Sequence, residues 1–468
     1  MGDAMSGTNT SLWTRIRRVA ASDRISGLIM LGFALLGLLL ANIPATYQGF
    51  EALSHFHLGI PGTNIDMGLG HWAQDGLLTV FFLVVGLELR QELTTGSLSN
   101  VRAAAVPMLC AVGGMLMPPI LFIGVIALFS RYGGADPGSL LIANGATFPL
   151  SEASHGWAIP TATDIAFSLA VLALFAKALP GSIRAFLMTL ATVDDLLAII
   201  LIAVFFSSLN AWYWFVGIAA CAVAWYFLVR MRKVPWIGIA IIGILSWIMM
   251  YEAGVHPTLA GVLVGLLTPA RSMHGERSPR AERYADKLQP FSALLALPIF
   301  AFFATGVHFD SITPLLLVSP VVIALVVALV VGKPLGIMLT AWLSTHVGTL
   351  RMPRGLRVRD MLPASVACGI GFTVSFLIAS LAYSNEELSA EARFGVLLAS
   401  LLAAAISGVL LSRQSKRFER IAAATPHADT AELDRGDVVT TLPDGTVVVS
   451  QRIGKGSHDD RRDTTQAR

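Results

Sequence analysis

Cysteines and charged residues are both scarce in this sequence of 468 residues. Only 13% of the residues are Asp, Glu, Lys or Arg, and the formal net charge of +3 is too small to indicate nucleic-acid binding. The three cysteines, Cys110, Cys221 and Cys368, lie inside apolar runs without paired spacing. The sequence therefore argues against a disulfide framework and against a zinc site, and the cysteines are interpreted as small core residues.

Apolar residues are abundant, at 55% of the chain, and the mean hydropathy is +0.69. This is more apolar surface than a soluble domain can bury, so lipid must solvate part of it. The apolar runs are separated by short polar stretches, which predicts an all-α polytopic membrane protein with about 12 transmembrane helices. The predicted spans are residues 25–42, 72–91, 103–129, 158–176, 183–207, 211–229, 234–253, 255–269, 290–306, 319–344, 361–383 and 393–412.

The first apolar run, Ile25 to Ala41, follows several arginines, a pattern that also opens secretory signal peptides. The run is long for a signal peptide and no clear cleavage site follows it, so we interpret it as the first transmembrane helix.

Basic residues alternate between successive loops, as expected when Lys and Arg remain on the cytoplasmic side. The loops on the other side hold Arg131 and Arg393 as their only basic residues. The basic loops are the N-terminus, residues 90–102, 177–184, 230–233, 271–287 and 351–359, and the tail from Arg413. This pattern predicts a bacterial inner-membrane protein with both termini in the cytoplasm.

Three regions follow from these patterns: a basic N-terminus (1–22), a transmembrane domain (23–413) and a polar tail (414–468). The tail is expected to be mostly disordered, with a small hairpin at residues 438–453. The first outer loop, residues 55–68, reads as two short strands around Pro61 and Gly62. Because an isolated hairpin needs a partner surface, we expect a homodimer contact there; packing on its own subunit is the alternative.

Ionisable residues inside apolar spans are the informative ones, because each costs roughly 2.5–3.5 kcal/mol at the membrane centre. They are Asp75 and Glu88 in the second span, Asp164 in the fourth, Asp194 and Asp195 in the fifth, and Lys333 in the tenth.

Asp194 and Asp195 are adjacent and lie well inside their helix. Successive helical residues are separated by about 100°, so the two carboxylates must face different directions. Carboxylate oxygens are natural ligands for a hard cation such as Na⁺ or Li⁺. An ion site is the favoured interpretation, and a purely structural link between helices is the alternative.

Two predicted spans carry helix-breaking signals near their centres. Pro160 interrupts the fourth span just before Asp164, and Gly369 and Gly371 interrupt the eleventh. Breaks in corresponding positions of two halves indicate a transporter's central site, although close helix packing would also explain the two glycines. Lys333 lies deep in its span and needs a carboxylate partner, for which Asp194 is favoured and Asp164 comes next.

Several long stretches resemble the NhaA family of sodium/proton antiporters, over about residues 23–413. The stretches are FFLVVGLELRQEL (81–93), GWAIPTATDIAFSLAVLAL (156–174), TLATVDDLLAIILIAVFF (189–206), GKPLGI (332–337) and CGIGFTVSFLIASLAY (368–383). Transporters of this family are built from inverted repeats with broken helices.

The resemblance implies inverted repeats of helices 3–5 and 10–12, with discontinuous helices 4 and 11 crossing at their centres. It implies an ion site at Asp194 and Asp195, with Thr163 and Asp164 nearby. It also implies that Asp164 and Lys333 compensate the charges of the facing helix ends, and that Asp75 lines the approach.

A pH-responsive region is implied by the resemblance at Glu88, Glu92 and His256. Gln91 replaces a basic residue of the family pattern, with Arg90 beside it, and Ser272 and Ala285 stand where acidic residues are expected. Glu276, Glu282 and Asp286 lie close by in sequence. These differences affect the expected pH profile and leave the transport chemistry unchanged. For His256, a structural role and a proton-sensing role both remain open.

The expected function is therefore secondary transport and not enzyme catalysis, without a cofactor. Cytoplasmic Na⁺, and Li⁺ as well, would be exchanged for external H⁺ by alternating access, in an electrogenic cycle that serves sodium extrusion and pH regulation. The alternative is a sodium-coupled symporter for an organic anion. Three carboxylates at the predicted site favour a cation over such an anion.

Overall fold

The computed structural model describes residues 23–59, 63, 65–132, 138–142, 145–176, 181–208, 211–308, 314–346, 350, 357–424, 439–441 and 447–449. The predicted basic N-terminus, the hairpin turn at Pro61 and Gly62, and most of the polar tail lie outside these residues. The described part is mainly helical, which confirms the predicted fold class.

The first half of the chain forms helices of very different lengths. They are α1 (Asp23–Asn42), α2 (Pro44–Ser54), α3 (Leu69–His71), α4 (Leu78–Thr94), α5 (Val101–Tyr132), α6 (Leu150–Ser154), α7 (Ile165–Phe175), α8 (Gly181–Phe205) and α9 (Tyr213–Leu228). The second half continues with α10 (Trp236–Glu252), α11 (Leu259–Leu267), α12 (Arg280–Phe291), α13 (Leu297–Ala304), α14 (Pro314–Leu317), α15 (Pro320–Val326), α16 (Lys333–His346), α17 (Leu362–Ala367), α18 (Phe372–Ala382) and α19 (Glu386–Ala424).

Short turns of tighter or wider helix join or precede several of these elements. The π-helical turns are Trp72–Leu77, Ser292–Ala296 and Val327–Gly332, and the 3₁₀ turns are Ser97–Ser99, His155–Thr161 and Val358–Met361. The π-helical turns link α3 to α4, α12 to α13 and α15 to α16 into three continuous helices.

Within the described residues, seven helices are long and apolar enough to cross a membrane. They are Ile25–Asn42, Leu69–Thr94, Ala104–Tyr132, Gly181–Phe205, Arg280–Ala304, Pro320–His346 and Glu386–Arg420. Two bent pairs, Leu150–Thr161 with Ile165–Phe175 and Val358–Ala367 with Phe372–Ala382, raise this number to nine. The shorter apolar helices α9 and α10 lie at further predicted spans, and the count of twelve stays a prediction.

Several predicted boundaries differ from the structure, and three of these differences have a clear local cause. The eighth span is helical only in α11, because Pro257 and Pro269 flank it and proline disfavours helix at its own position and just before it. The ninth span begins ten residues before its predicted start, at Arg280, since the polar segment before Pro290 is also helical. The last helix extends to Ala424, into the segment assigned to the polar tail. There the Gln414 amide donates to the Asp360 carbonyl at 2.7 Å, which holds this extension on the bundle.

Three two-stranded antiparallel sheets accompany the helices. β1 (His57–Gly59) pairs with β2 (Asp66–Gly68), which is the hairpin predicted in the first outer loop. β3 (Ser139–Leu141) pairs with β4 (Thr147–Pro149), a hairpin that the sequence did not predict. β5 (Val439–Thr441) pairs with β6 (Val447–Val449) at the hairpin predicted in the tail. We call the end of the bundle that carries β1 and β2 the hairpin end.

The helices pack in two groups. One contains α1, α4 and α9–α13; the other contains α5–α8 and α15–α19. The groups meet where α1 contacts α7 and where α13 contacts α18. The central breaks described below belong to the second group.

Glycines permit the closest helix contacts in both groups. A Cβ atom on Gly336 of α16 would lie 2.1 Å from the carbonyl oxygen of Gly113 in α5. A Cβ atom on Gly265 of α11 would lie 2.8 Å from the carbonyl carbon of Gly86 in α4. Small residues at such positions let helix backbones approach closely, which is how helices associate in lipid.

We expect Gly336→Ala to destabilise the protein, because the added methyl group must push α16 away from α5. Overpacking of this kind costs about 1–3 kcal/mol. Thermal unfolding of the purified protein in detergent should show a lower midpoint. Gly32→Ala is the matched control, since no atom lies within 4 Å of a Cβ at Gly32 and alanine favours helix. Equal midpoints for the two variants would contradict the proposed contact.

Candidate functional site

Both bent pairs are interrupted by a few non-helical residues at their centres. The first pair stops at Thr161, continues as extended chain through Ala162 and Asp164, and resumes as α7 at a bend of 50°. The second stops at Ala367 and resumes as α18 at a bend of 59°. Each break frees backbone N–H and C=O groups, which in a membrane need partners inside the protein.

The two breaks supply many of these partners to each other. Hydroxyl and N–H groups on one broken helix donate to carbonyl oxygens on the other. The bonds are Asp164 N to Ile370 O (2.7 Å), Thr163 Oγ1 to Cys368 O (2.9 Å), Ser168 Oγ to Ala367 O (2.8 Å) and Ser375 Oγ to Ile159 O (2.8 Å). The broken helices therefore contact each other where they are unwound.

Asp164 caps the N-terminal ends of both downstream half-helices. One carboxylate oxygen accepts from Phe167 N at 3.0 Å, the N-cap bond of α7. The other accepts from both the backbone N (3.2 Å) and the hydroxyl (2.8 Å) of Thr373, at the start of α18. A helix N-terminus carries partial positive charge, which favours a carboxylate placed beside it, and Asp164 lies beside two of them.

Lys333 provides the opposite charge on the other side of the breaks. Its Nζ lies 2.8 Å from Asp194 Oδ2 and donates to the Thr161 carbonyl at 2.5 Å, where the first half-helix ends. The side chain is fully buried, at 0% exposure. The structure thus gives Lys333 the carboxylate partner that the sequence favoured.

Asp194 and Asp195 retain oxygens without partners. Both side chains are buried on α8, and the Oδ1 atom of each has no hydrogen bond among the described residues. A buried, unsatisfied carboxylate oxygen is costly and marks a position that a cation or a proton can satisfy. Because Asp194 already bonds to Lys333, the two aspartates have different surroundings, as their adjacent helical positions require.

No group of three or more His, Cys, Asp or Glu side chains suited to holding a metal ion occurs in the described ranges. The oxygen donors near the breaks are carboxylates, hydroxyls and backbone carbonyls, which are hard ligands of the kind that an alkali cation prefers.

Asp75 lies apart from the breaks, in the π-helical turn Trp72–Leu77. Its Oδ1 is 3.5 Å from Nε2 of His256, whose Nδ1 lies 2.8 Å from the hydroxyl of Thr258. The indole of Trp247 donates to the Asp75 carbonyl at 2.8 Å. The structure thus places Asp75 and His256 together, a pairing that the sequence did not predict.

The predicted pH-responsive residues of α4 lie at the opposite end from the hairpin. Glu88 is exposed, whereas Glu92 is half-buried and accepts from the N–H and the hydroxyl of Ser97 at 2.8 Å each. The Gln91 amide turns back to its own helix, to Leu87 O at 3.4 Å. Glu92 therefore stabilises the turn that follows α4.

Near Ser272 and Ala285, the charged cluster is built around Arg280. This fully buried guanidinium donates to Glu276 and to the carbonyls of Val229 and Met231, just after α9 ends. Arg283 contacts the second oxygen of Glu276 at 2.9 Å. The hydrogen bonds from Arg280 hold the pKa of Glu276 below its ordinary value. Glu276 is therefore ionised throughout the neutral range.

The sequence did not single out several side chains that satisfy the breaks. Ser168, Thr373 and Ser375 each bond across the two broken helices. Hydroxyl residues beside a helix break were the available signal, but their partners depend on how the two helices meet.

The sequence of this chain is similar to those of several antiporters. The sequence model of a family described as Na⁺/H⁺ antiporter 1 matches residues 17–136 and 139–411. The Na⁺/H⁺ antiporter NhaA of Bifidobacterium adolescentis is 75% identical over 451 residues, covering 96% of this chain and 99% of that protein. NhaA of Bifidobacterium longum is 78% identical over 417 residues, covering 89% and 88%. NhaA 3 of Streptomyces coelicolor is 37% identical over 426 residues, covering 90% and 84%.

We expect Asp194→Asn to lower stability more than Asp195→Asn does. The first change removes the anionic partner of the fully buried Lys333, and breaking a buried ion pair costs about 3–5 kcal/mol. The second removes a carboxylate that has no ion pair among the described residues. Thermal unfolding in detergent at neutral pH, without sodium, measures the difference. A smaller loss for Asp194→Asn would show that the ion pair has little stabilising effect.

Proposed function

This chain belongs to the Na⁺/H⁺ antiporter 1 family, and we propose that it exchanges cytoplasmic Na⁺, and Li⁺, for external H⁺. The observation that carries the proposal is the pair of buried aspartates on α8 with unsatisfied oxygens beside two mutually bonded helix breaks. The protein is a secondary transporter of the bacterial inner membrane, with both termini cytoplasmic. It uses no cofactor.

Competition between Na⁺ and H⁺ is the proposed basis of exchange. Both ions satisfy the same carboxylate oxygens of Asp194 and Asp195, so protonation reduces the negative charge that attracts Na⁺. Alternating access then presents the site to one side at a time. Sodium enters the site as protons leave it, and the order reverses on the other side.

Lys333 links sodium binding to a second proton. Sodium at Asp194 competes with the ammonium group, which lies 2.8 Å from that carboxylate and is fully buried. A buried ammonium that loses its anion is disfavoured, and it releases a proton. One proton from Asp195 and one from Lys333 are therefore exchanged for one sodium ion.

The cycle is electrogenic, because two protons move inward for each sodium ion moved outward. One net charge crosses the membrane, and the membrane potential contributes about 2.3 kcal/mol per 100 mV. This contribution supports sodium extrusion and pH regulation when the outside is alkaline.

The remaining predicted residues have supporting roles in this proposal. Thr163 and Asp164 complete the ion site, and Asp164 with Lys333 balances the half-helix ends. Asp75 lines the approach to the site. Glu88, Glu92 and His256 contribute to the pH response. The β1–β2 hairpin, within residues 55–68, forms a homodimer contact.

The first test is sodium-induced collapse of a proton gradient in everted vesicles from a host that lacks its own antiporters. We expect collapse with Na⁺ and Li⁺ but not with K⁺, and loss of the response in Asp195→Asn. Glu387→Gln is the matched control, because this carboxylate is exposed at the start of α19. Appreciable exchange by Asp195→Asn would refute the paired-aspartate mechanism. A response only with an added organic anion would indicate a symporter instead.

We expect Lys333→Ala to make any remaining exchange electroneutral, because only the proton of Asp195 is then exchanged for sodium. Purified protein in liposomes, with an imposed membrane potential, measures the charge moved per cycle. Lys287→Ala is the control, since Lys287 lies over the ring of Trp236 and away from the aspartates. An unchanged charge per cycle in Lys333→Ala would assign Lys333 a structural role only.

We expect Glu276→Gln to leave the pH midpoint of exchange unchanged and to lower thermal stability. The depressed pKa means that the stabilising charge of Glu276 is lost only as pH falls through that lowered value, below the neutral range. Removing it leaves the buried Arg280 without its carboxylate. Exposed Glu282→Gln is the control. A clear shift of the midpoint in Glu276→Gln alone would make Glu276 part of the pH sensor.

A further inference from the structure

Where α1 meets α7, the two groups of helices touch through small apolar residues. A Cβ atom on Gly27 of α1 would lie 2.8 Å from the Cβ of Ala170 in α7. Apolar contacts stabilise through the area that they bury and have no preferred direction. This contact holds the groups together, but it does not by itself fix the position of one group against the other.

A side-chain hydrogen bond joins the same two groups at the hairpin end. The hydroxyl of Ser380, near the end of α18, donates to Oε1 of Gln74 at 2.9 Å. Gln74 lies directly before Asp75 in the π-helical turn Trp72–Leu77, which is continuous with α4. Both side chains are half-buried. Because hydrogen bonds weaken steeply with distance and angle, this bond forms at one relative position of the two groups.

Each partner of this bond is held firmly on its own group. The carbonyl of Asp75 accepts from the indole of Trp247 at 2.8 Å and from the hydroxyl of Thr79 at 2.5 Å, which fixes the π-helical turn against α4 and α10. On the other side, α18 is bonded to the first broken helix. The Ser380–Gln74 bond therefore breaks when one group moves against the other.

Ser380 has a second acceptor within its own helix. Its hydroxyl oxygen also lies 2.8 Å from the carbonyl oxygen of Leu377, and a hydroxyl has one hydrogen to donate. When the groups part, that hydrogen turns to Leu377, so the hydroxyl is not left as an unsatisfied donor. The bond to Gln74 can therefore open and close without the penalty of an unpaired polar group.

We propose that Ser380 and Gln74 form a latch that holds the two groups together at the hairpin end and closes the outer approach to the ion site. Opening the latch exposes Asp75, the neighbour of Gln74, to the outer side. This role rests on the proposed function, in which the site faces each side in turn. Ser380 and Gln74 are positioning residues, since they act through the relative position of the two groups.

Half-saturation by Na⁺, measured from each side of the membrane, tests the latch. Everted vesicles present the cytoplasmic side to the medium, and right-side-out vesicles present the outer side. We expect Ser380→Ala to raise the half-saturating Na⁺ concentration on the cytoplasmic side and to lower it on the outer side. The ratio of the two should change about fivefold, the effect of one hydrogen bond on a two-state equilibrium. A merely structural defect would not shift the two values in opposite directions.

Three further variants make this test specific. Ser380→Thr keeps the hydroxyl and should keep the wild-type ratio, whereas Gln74→Leu removes the acceptor and should reproduce the effect of Ser380→Ala. Ser154→Ala is the matched control, because the Ser154 hydroxyl donates within its own helix, to the Ser151 carbonyl at 2.8 Å. An unchanged ratio in Ser380→Ala and Gln74→Leu, or shifts in the same direction from both sides, would overturn the proposal.

Thermal unfolding in detergent tests the bond itself without transport. The losses in midpoint caused by Gln74→Leu and Ser380→Ala should not add in the double variant, because both changes remove the same bond. Additive losses would overturn the contact between the groups. If the wild type exchanges no sodium, the proposed function fails and the latch has no role in transport, while a non-additive result would still establish the bond.

Discussion

The structure depends on satisfying the backbone groups that two broken helices release inside an apolar bundle. Lipid cannot serve as the partner at that depth, so the freed groups need partners inside the protein, and here the two breaks bond to each other. The hydroxyls of Thr163, Ser168 and Ser375 and the N–H of Asp164 meet this requirement. The two helices are therefore fixed against each other at their weakest points.

Charge is arranged around the breaks by the same requirement. Asp164 accepts hydrogen bonds at the N-terminal ends of two half-helices, and Lys333 donates one to the C-terminal carbonyl of a third. Asp194 completes the arrangement as the partner of Lys333. In the proposed exchange, a sodium ion beside Asp194 competes with an interaction that also supports the helix ends. This coupling gives the proposed ion exchange a physical route to conformational change.

The periphery follows simpler rules of packing and capping. Gly113 and Gly336 let α5 and α16 touch, and Arg280 satisfies carbonyls at the end of α9 while Glu276 balances its charge. Glu276 stays ionised at neutral pH in this setting. Position in the sequence near a predicted pH-responsive region does not by itself make a carboxylate a sensor, because its partners set the pH at which it titrates.

The sequence by itself determined the membrane class, the apolar helices and two hairpins. It also singled out the charged residues whose placement inside the spans costs free energy: Asp164, Asp194, Asp195 and Lys333. These follow from composition and local pattern, which act within a few residues. Only the tertiary structure decided between Asp194 and Asp164 as the partner of Lys333, and only it showed that one carboxylate caps two half-helices and that Asp75 meets His256. Those contacts join residues far apart in the chain, and periodicity contains no information about which distant helix supplies a partner. The extension of α19 past its predicted span also needed the fold, because Gln414 bonds to the carbonyl of the distant Asp360. The ends of α11, in contrast, follow from the flanking prolines that the sequence already shows.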